Sequence, residues 1–516
     1  MQRFIARYRP LITGVLSGFD RLVFRGSLLP LIREGGMFFF LERAGVRLLD
    51  FKDFVTKTSD RVKKAAYAEA AKLDRPIRYL ESSEWDKEKI AERMLAERPV
   101  DRGLICLLTA VEPCMSFEYH RSPHPNERGL RLRPKKCLHL YKYFVHPQFG
   151  FMSARLQTWF PFNIQICLNG REWLARQLRR RRSDFKRADN CFTWLGNVEL
   201  AQRLMDEQLQ TDWPAILDAV ARRVNPLHAE IFQAQPMEYY WSGYQTEWAT
   251  DVMFSDPRTL AGVYPALVRH AMDHFKSPDV MRFLGGKVHG NFTGEIITSF
   301  KNRPEGVRVK HWVRGNSIKM YDKAGSILRV ETTIARTKDF KVFRPAHDQP
   351  NGKLEWRPLR KGVADLHRRA QLSQRSNDAY LEALSAVEDT TPCARFFDAV
   401  SRPVIEDSRR FPALRLNDPA DLALLDAISR GEFAPAGFRN RDLRALTHRL
   451  PADATHRDRR RVSAKVSRQL RLLRAHGVIR KIPKTHRYRL TANGLLMTAA
   501  LQATRSANIK DLLKAA

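Results

Sequence analysis

The stretch that decides how the centre of the chain folds is VKHWVRGNSIKMYDKAGSILRVETTI, residues 309–334, in which apolar and basic side chains alternate. Alternation with a period of two is typical of β-strands. The turn sequence RGNS separates the first two alternating runs and, with its Gly-Asn pair, favours a hairpin. We therefore predict three consecutive antiparallel strands here.

The two faces of this predicted sheet differ in chemistry. Val307, Val309 and Val313 lie on one face and indicate the side that packs. The opposite face is basic and aromatic and presents Arg308, Lys310, Trp312, Lys319, Tyr321, Lys323 and Arg329. Such a face suits single-stranded nucleic acid, which is held by stacking and by cations, but it is equally compatible with simple solvation.

The charge balance points to a polyanionic partner. The 516 residues are 43% hydrophobic, enough for sizeable cores, and carry a formal net charge of +34. Nucleic acid is the expected counter-charge, with DNA as the first expectation and structured RNA as an alternative. We find no uncharged apolar run of membrane-spanning length and no signal peptide, so we expect a cytoplasmic protein that does not enter membranes.

Composition shifts divide the sequence into five parts. We predict an α/β (α+β) multidomain protein with a mixed or antiparallel sheet in its central body. The parts are an N-terminal α/β domain at 1–130, a basic aromatic-rich segment at 131–236, an antiparallel-sheet domain with a following helix at 237–387, a linker at 388–416 and a C-terminal domain at 417–516.

The C-terminal domain carries the clearest pattern. Three helical stretches precede a strand, a turn, a second strand and a last helix. Helical spacing places Val466, Leu470 and Leu473 on one stripe of the third helix, opposite a basic face. That face holds Arg461, Lys465, Arg468 and Arg471, and the turn between the strands adds Lys484, His486 and Arg487. From residue 437 to 516, twenty lysines and arginines stand against four acids, which favours a nucleic-acid contact over a solvated face.

This order of elements resembles the winged helix-turn-helix domain of bacterial DNA-binding proteins. The stretch LLRAHGVIRKIPKTHRYRLTANG, residues 472–494, is similar to a recognition helix entering its wing. The resemblance implies duplex DNA binding, with Arg461, Arg468 and Arg471 in or near a major groove. A protein-docking module is the alternative.

Aromatic and basic residues are interleaved between positions 137 and 182. The aromatic side chains can form a stacking platform for single strands, or they can fill a core. The four arginines Arg179, Arg180, Arg181 and Arg182 that end this segment are better candidates for phosphate contacts than the aromatics.

A small set of acids supports an enzymatic alternative. Glu247 and Asp251 are four residues apart and share a face in a strand or a helix. With Glu331 and Asp322 they can hold Mg²⁺ for phosphodiester chemistry, and we take Glu247, Asp251 and Glu331 as the metal ligands. Carboxylates this sparse also occur as salt-bridge partners of neighbouring arginines.

Two further resemblances bear on this alternative. IKMYDKAGSILRVETTI, residues 318–334, resembles a hairpin of rolling-circle replication initiators, whose nucleophile is a tyrosine upstream of the hairpin; the corresponding TGEIITSFKNR contains Phe300 and no tyrosine. LITGVLSGFDRLVFRGSLLPL and FGFMSARLQTWFPFNIQICLNGREWLARQL are similar to a family of multicopy, mobile-element-like bacterial proteins, which implies an element protein that handles DNA or RNA.

The sequence therefore supports a nucleic-acid-binding protein, acting alone or in a ribonucleoprotein. A Mg²⁺-dependent nuclease or DNA strand-transferase is the first alternative, and a transcription regulator is the second.

The six cysteines form no CxxC pair, which is typical of reduced thiols. A zinc site built from Cys106, Cys114, Cys137 and His139 matches no common spacing.

Overall fold

An eleven-stranded mixed sheet runs through the chain in the computed structural model. The structure describes residues 1–81, 84, 86–120, 129–284, 294–303, 306–346, 349, 352–385, 393–406, 408–429, 433, 437–448, 451, 454–483 and 485–506. The strands are β1 (Ile12–Ser27), β2 (Ile77–Tyr79), β3 (Gly103–His120), β4 (Gly129–His146), β5 (Gly150–Gln157), β6 (Ile164–Asn169), β7 (Phe185–Ala188), β8 (Cys191–Leu195), β9 (Tyr240–Phe254), β10 (Ile296–Arg303), β11 (Gly306–Val313), β12 (Asn316–Lys323), β13 (Ile327–Ile334), β14 (Lys341–Arg344), β15 (Glu355–Pro358), β16 (Val404–Glu406), β17 (Arg409–Phe411), β18 (Ile479–Lys481) and β19 (Tyr488–Leu490).

Helices cover both faces of this sheet, so the predicted α/β class is confirmed. They are α1 (Gln2–Arg7), α2 (Glu34–Arg43), α3 (Phe51–Lys72), α4 (Lys87–Glu97), α5 (Gly170–Arg180), α6 (Val198–Glu207), α7 (Trp213–Val224), α8 (His228–Ile231), α9 (Pro257–Asp273), α10 (Ser277–Phe283), α11 (Leu366–Leu384), α12 (Cys393–Val400), α13 (Pro419–Ser429), α14 (Asn440–Thr447), α15 (His456–Ala475) and α16 (Ala492–Ser506). Among the described residues, none of these helices has both the length and the apolar composition needed to cross a bilayer.

The strand order connects distant parts of the chain. It reads β10-β11-β12-β13-β9-β1-β6-β5-β4-β3-β2, and every neighbouring pair is antiparallel except β2 with β3. The N-terminal strand β1 therefore lies between β9 and β6. Strands from before residue 130, from 131–236 and from after residue 236 belong to one hydrogen-bonded sheet. The boundaries predicted near residues 130 and 236 therefore do not separate independent sheets.

Residues 309–334 form the antiparallel strands that their alternation predicts. Val313 pairs with Asn316, so the two-residue turn consists of Arg314 and Gly315 rather than of the Gly-Asn pair. Both turn residues have positive φ angles, 49° and 91°, the conformation of a tight hairpin turn. The apolar face of these strands packs against α9, α10 and α11 in a core that includes Val309, Ile318 and Val330.

The other face of the sheet is partly covered as well. Leu16, Met253 and Ile327 pack against α5, α6 and the β7–β8 hairpin. Every residue of β13 is consequently buried. The solvent-exposed basic face predicted across three strands is thus wrong for β13, because a distant part of the chain covers it.

The C-terminal elements form their own apolar cluster. Leu425, Leu443, Val466, Leu473 and Ile479 belong to it, and they come from α13, α14, α15 and β18. The order of helices and strands in this unit is the order predicted from the sequence. The segment 388–416, which we expected to be a linker, contains α12 and the β16–β17 hairpin.

Candidate functional site

Three carboxylates from three neighbouring strands meet on the partly covered face of the sheet. Asp20 of β1, Glu247 of β9 and Glu331 of β13 each place a carboxylate oxygen within 4.8 Å of the others. Asp20 and Glu331 are buried, whereas Glu247 keeps some exposure. We call these three residues the carboxylate cluster.

The strand register explains why these side chains converge. Glu331 lies opposite Ala249 of β9, and Ala249 lies opposite Gly18 of β1. Glu331 is therefore a diagonal neighbour of Glu247, which lies two residues from Ala249 on β9, and the Met205 side chain fills the space above Gly18. A register shift between β1 and β9 at Phe19–Leu22 falls on Asp20, and such irregularities re-aim side chains.

Asp251, predicted as a metal ligand, has both carboxylate oxygens engaged by guanidinium groups. Arg329 donates from Nε to Oδ1 at 2.5 Å and from Nη2 to Oδ2 at 2.9 Å. Arg171 adds an ion pair at 3.1 Å. Burial raises the pKa of Asp251, but the two arginines outweigh it and hold the pKa below its usual value. Asp251 is thus an ion-pair partner outside the carboxylate cluster.

Asp322 lies on the opposite face of the sheet. Its carboxylate accepts a hydrogen bond from the backbone N–H of Val307 at 2.8 Å. The structure therefore does not bring this predicted catalytic residue to the others. Successive side chains of a β-strand point to opposite faces. The side chain of Tyr321 points towards Glu331, so that of its neighbour Asp322 points away from it.

Asp20 was missed by the sequence reasoning. It directly follows the apolar run LITGVLSGF, which is typical of a buried strand. Because a buried charge is costly unless it has a partner, an acid in this position is the signal that could have identified Asp20. Arg329 donates to Asp20 at 3.0 Å, and the side-chain amide of Asn190 donates to both of its oxygens at 2.9 and 3.1 Å.

Partners are unequally distributed over the carboxylate cluster. Glu331 has an ion pair with Lys319 at 2.7 Å and accepts a hydrogen bond from the Tyr321 hydroxyl at 3.0 Å. Glu247 accepts only from the side-chain amide of Gln245, at 2.8 Å, and forms no ion pair within the described part of the chain. Burial, and then the charge of Glu331, raise the pKa of Glu247 to about 7. Glu247 is thus the member of the carboxylate cluster that no ion pair holds among the described residues.

The predicted nucleic-acid face keeps an exposed portion next to this cluster. Trp312 is 38% exposed, and the Lys310 ammonium lies 4.1 Å from its ring centroid. On the neighbouring strand β10, Ile297 pairs with Trp312 and is also exposed. Arg308, also predicted for this face, is partly exposed on β11. These residues form a rim of cationic, aromatic and aliphatic surface beside the carboxylates.

Other residues predicted for that face are taken up by protein contacts. Arg329 is fully buried and bonded to Asp20 and Asp251, so it is not available to a nucleic acid. Lys323 pairs with Asp189 at 2.7 Å. Lys319 and Tyr321 are held by Glu331, as described above.

The aromatics of residues 137–182 mainly fill the core. Tyr143, Phe149, Phe160 and Phe162 are buried. The arginines at the end of α5 behave differently, because Arg179, Arg180, Arg181 and Arg182 are all exposed. The described structure therefore favours a core role for these aromatics over a stacking platform.

The helix α15 carries the strongest exposed cationic surface in the C-terminal unit. Thr455 caps the helix with a hydroxyl that accepts from the backbone N–H of Asp458 at 3.2 Å. Val466, Leu470 and Leu473 are buried beneath it. The opposite face exposes Arg461, Lys465, Arg468 and Arg471, and none of the four forms an ion pair with a described residue.

The hairpin after α15 starts at Gly477, whose φ of 66° requires the left-handed conformation that glycine tolerates. His486 in its turn is exposed. Arg487 donates to the carbonyl of Gly437 at 2.9 Å, so part of its guanidinium supports the loop before α14. Lys484 lies outside the described residues.

Comparisons with known proteins add no further constraint. No protein-family model, no curated protein and no solved structure matches the chain significantly.

Proposed function

We propose that the protein binds nucleic acid and that α15 is its principal contact with duplex DNA. The observation that carries this proposal is the face of α15 described above, with four exposed cations that form no ion pair within the described residues. Exposed cations without partners repel one another, and the charge of a polyanion relieves that repulsion. The counterions that the polyanion releases when it binds also favour the complex.

The arrangement around α15 supports a duplex rather than a flexible single strand. The exposed side chain of His486 follows α15 in the β18–β19 hairpin, and Asn440 of α14 donates to the Ser463 carbonyl of α15 at 2.8 Å. A rigid helix beside a hairpin fits a groove and its flanking backbone. The resemblance of the sequence to winged helix domains points in the same direction.

Replacing Arg468 and Arg471 by alanine tests this proposal. Because the double variant lacks two cations that each neutralise a phosphate, the slope of log K against log salt for duplex binding should fall by about 2, at roughly 0.9 per phosphate. The matched control is Lys57→Ala with Lys64→Ala, which removes the same charge from exposed positions of α3. An equal decrease in both double variants would mean that only net charge matters and that α15 does not bind the duplex.

A second candidate function is metal-dependent phosphodiester chemistry at the carboxylate cluster. The specific observation is that Asp20, Glu247 and Glu331 offer hard oxygen ligands within 4.8 Å and that Glu247 has no cation of its own among the described residues. This donor set fits Mg²⁺, which prefers carboxylate oxygens and water. When bound, such an ion lowers the pKa of a coordinated water and neutralises charge on a phosphoryl oxygen.

The residues around the carboxylate cluster have distinct roles in this proposal. Asp20, Glu247 and Glu331 would hold the ion, and Arg329 fixes Asp20 in place. Lys310 and Trp312 position the nucleic-acid strand at the rim, by charge and by stacking. In hydrolysis, the oxygen of water bonds to phosphorus and loses one proton to solvent, the P–O bond to the leaving nucleotide breaks, and the leaving oxygen takes up a proton.

Asp20→Asn and Glu331→Gln test the enzyme proposal. We expect Mg²⁺-dependent cleavage of DNA by the wild type, and loss of that cleavage in both variants with duplex binding retained. The control is Asp322→Asn, because Asp322 lies on the other face of the sheet. Cleavage that persists in the cluster variants, or a wild type without any Mg²⁺-dependent cleavage, contradicts the proposal and leaves the binding function standing.

A further inference from the structure

Two cysteines lie side by side on the long β3–β4 hairpin, away from the carboxylate cluster and from α15. Cys114 pairs with Lys135 across the hairpin, and Cys137 pairs with Glu112, so the two cysteines are diagonal neighbours. Their Sγ atoms are 3.0 Å apart. A disulfide bond is about 2.05 Å long, so joining them requires a movement of roughly 1 Å.

The two thiols differ in access and in chemistry. Cys137 is buried, whereas Cys114 is partly exposed. The hydrogen bond from Cys137 lowers the pKa of Cys114 to about 7 against the effect of burial, and Ser116 and Arg155 contribute in the same direction. The hydrogen bond to Cys114 and burial raise the pKa of Cys137. Because the thiolate is the nucleophile, Cys114 is the member of the pair that attacks first.

A zinc site is the competing use of this group, because a ring nitrogen of His139 lies within 4.8 Å of both sulfurs. Its ring nitrogens are already engaged. Nε2 is 3.0 Å from the Arg155 guanidinium and accepts from it, while Nδ1 is 3.2 Å from the Cys137 carbonyl. A guanidinium that occupies the lone pair also repels a metal cation. Cys106, the fourth ligand considered from the sequence, is buried in a separate apolar cluster.

We propose that Cys114 and Cys137 form a thiol–disulfide exchange site that is oxidised by small disulfides. The Cys114 thiolate attacks one sulfur of the small disulfide, forms a mixed disulfide and releases one thiolate. Cys137 then loses its proton to solvent and attacks Sγ of Cys114, which forms the Cys114–Cys137 disulfide and releases the second thiolate. Two protein thiols are oxidised, and one small disulfide is reduced to two thiols.

The experiment uses the reduced full chain and oxidised glutathione at neutral pH, followed by tryptic mass spectrometry without reductant. The expected product joins peptides 103–121 and 137–142 with the loss of two hydrogen atoms. Peptide 103–121 also contains Cys106, so Cys106→Ala is the control that must still form the linked product. Cys137→Ala should instead accumulate glutathione on Cys114, and Cys114→Ala should do neither.

The wild-type reaction decides the proposal even if a variant fails to fold. A stable glutathione adduct on wild-type Cys114 without the linked peptides would overturn it, as would unreacted thiols at both positions. Zinc at one equivalent in the purified wild type, released by a thiol-blocking reagent, would assign the pair to metal binding and equally overturn the exchange site. None of these outcomes depends on nucleic-acid binding.

Discussion

The variant Glu247→Gln distinguishes a carboxylate cluster that binds a metal cation from one whose charges are balanced by the protein's own side chains. Burial and Glu331 raise the pKa of Glu247 from its ordinary 4.5 to about 7. This shift corresponds to about 3 kcal/mol, at roughly 1.4 kcal/mol per pKa unit. In the absence of a cation, that is the free energy by which the ionised Glu247 side chain destabilises the fold.

The sign of the effect follows from proton binding. Between pH 4.5 and about 7, the folded protein holds the Glu247 proton more tightly than the unfolded chain does. The free energy of unfolding therefore falls as the pH rises through this window. Below the window both states are protonated, and the penalty vanishes. Glutamine carries no charge at any of these pH values, so the variant does not show this decrease.

Urea denaturation at pH 4.5 and pH 8, with and without Mg²⁺, measures this effect. At pH 8 without metal, Glu247→Gln should be more stable than the wild type by up to about 3 kcal/mol, and at pH 4.5 the two should be nearly equal. Added Mg²⁺ should stabilise the wild type at pH 8 and leave the variant unchanged, because a ligand that binds only the folded state stabilises it.

Glu238→Gln is the matched control, since Glu238 is exposed in the segment before β9. It should behave as the wild type does in all four conditions. A Glu247→Gln protein that is less stable than the wild type at pH 8 would refute the reasoning, because Glu247 would then be a stabilising partner. Equal stabilisation of both proteins by Mg²⁺ would place the ion elsewhere.

Three further predictions concern single side chains. Asp251→Asn should lower the free energy of unfolding by about 3–5 kcal/mol, because it leaves the buried Arg329 and Arg171 short of a counter-charge; urea denaturation measures this. Trp312→Ala should weaken binding of single-stranded oligonucleotides by about 1–3 kcal/mol, as removal of one stacking ring does, and leave duplex binding unchanged in fluorescence titrations. Thr455→Ala should destabilise α15 by about 1 kcal/mol because it removes the helix cap, which hydrogen exchange at the start of the helix can detect.

Local patterns in the sequence were sufficient for several elements. The alternation in residues 307–323 predicted β11 and β12 with their packed face, because each strand pairs with its neighbour in the chain. The stripe of Val466, Leu470 and Leu473 likewise predicted the buried side of α15. In both cases the interacting residues lie close together in sequence, so a short window contains the necessary information.

The composition of the carboxylate cluster depended on long-range register instead. Asp20 reaches Arg329 across 309 positions of the chain, and only the pairing of β1 with β9 brings it there. Asp251 lies four residues from Glu247 on the same strand, roughly 13 Å away at about 3.3 Å per residue, and no short pattern shows that Asp20 of β1 comes closer. The same reason applies to β13, whose second face is buried by helices that precede it by more than a hundred residues.

The most direct test of nucleic-acid binding through α15 is photo-crosslinking of the full chain to duplex DNA that carries 5-iodouracil, followed by mass spectrometry of the linked peptides. We predict crosslinks to the exposed face of α15 and to the turn between β18 and β19, and their disappearance as salt is raised. Crosslinks confined to other parts of the chain, or no duplex complex at low salt, would contradict this account.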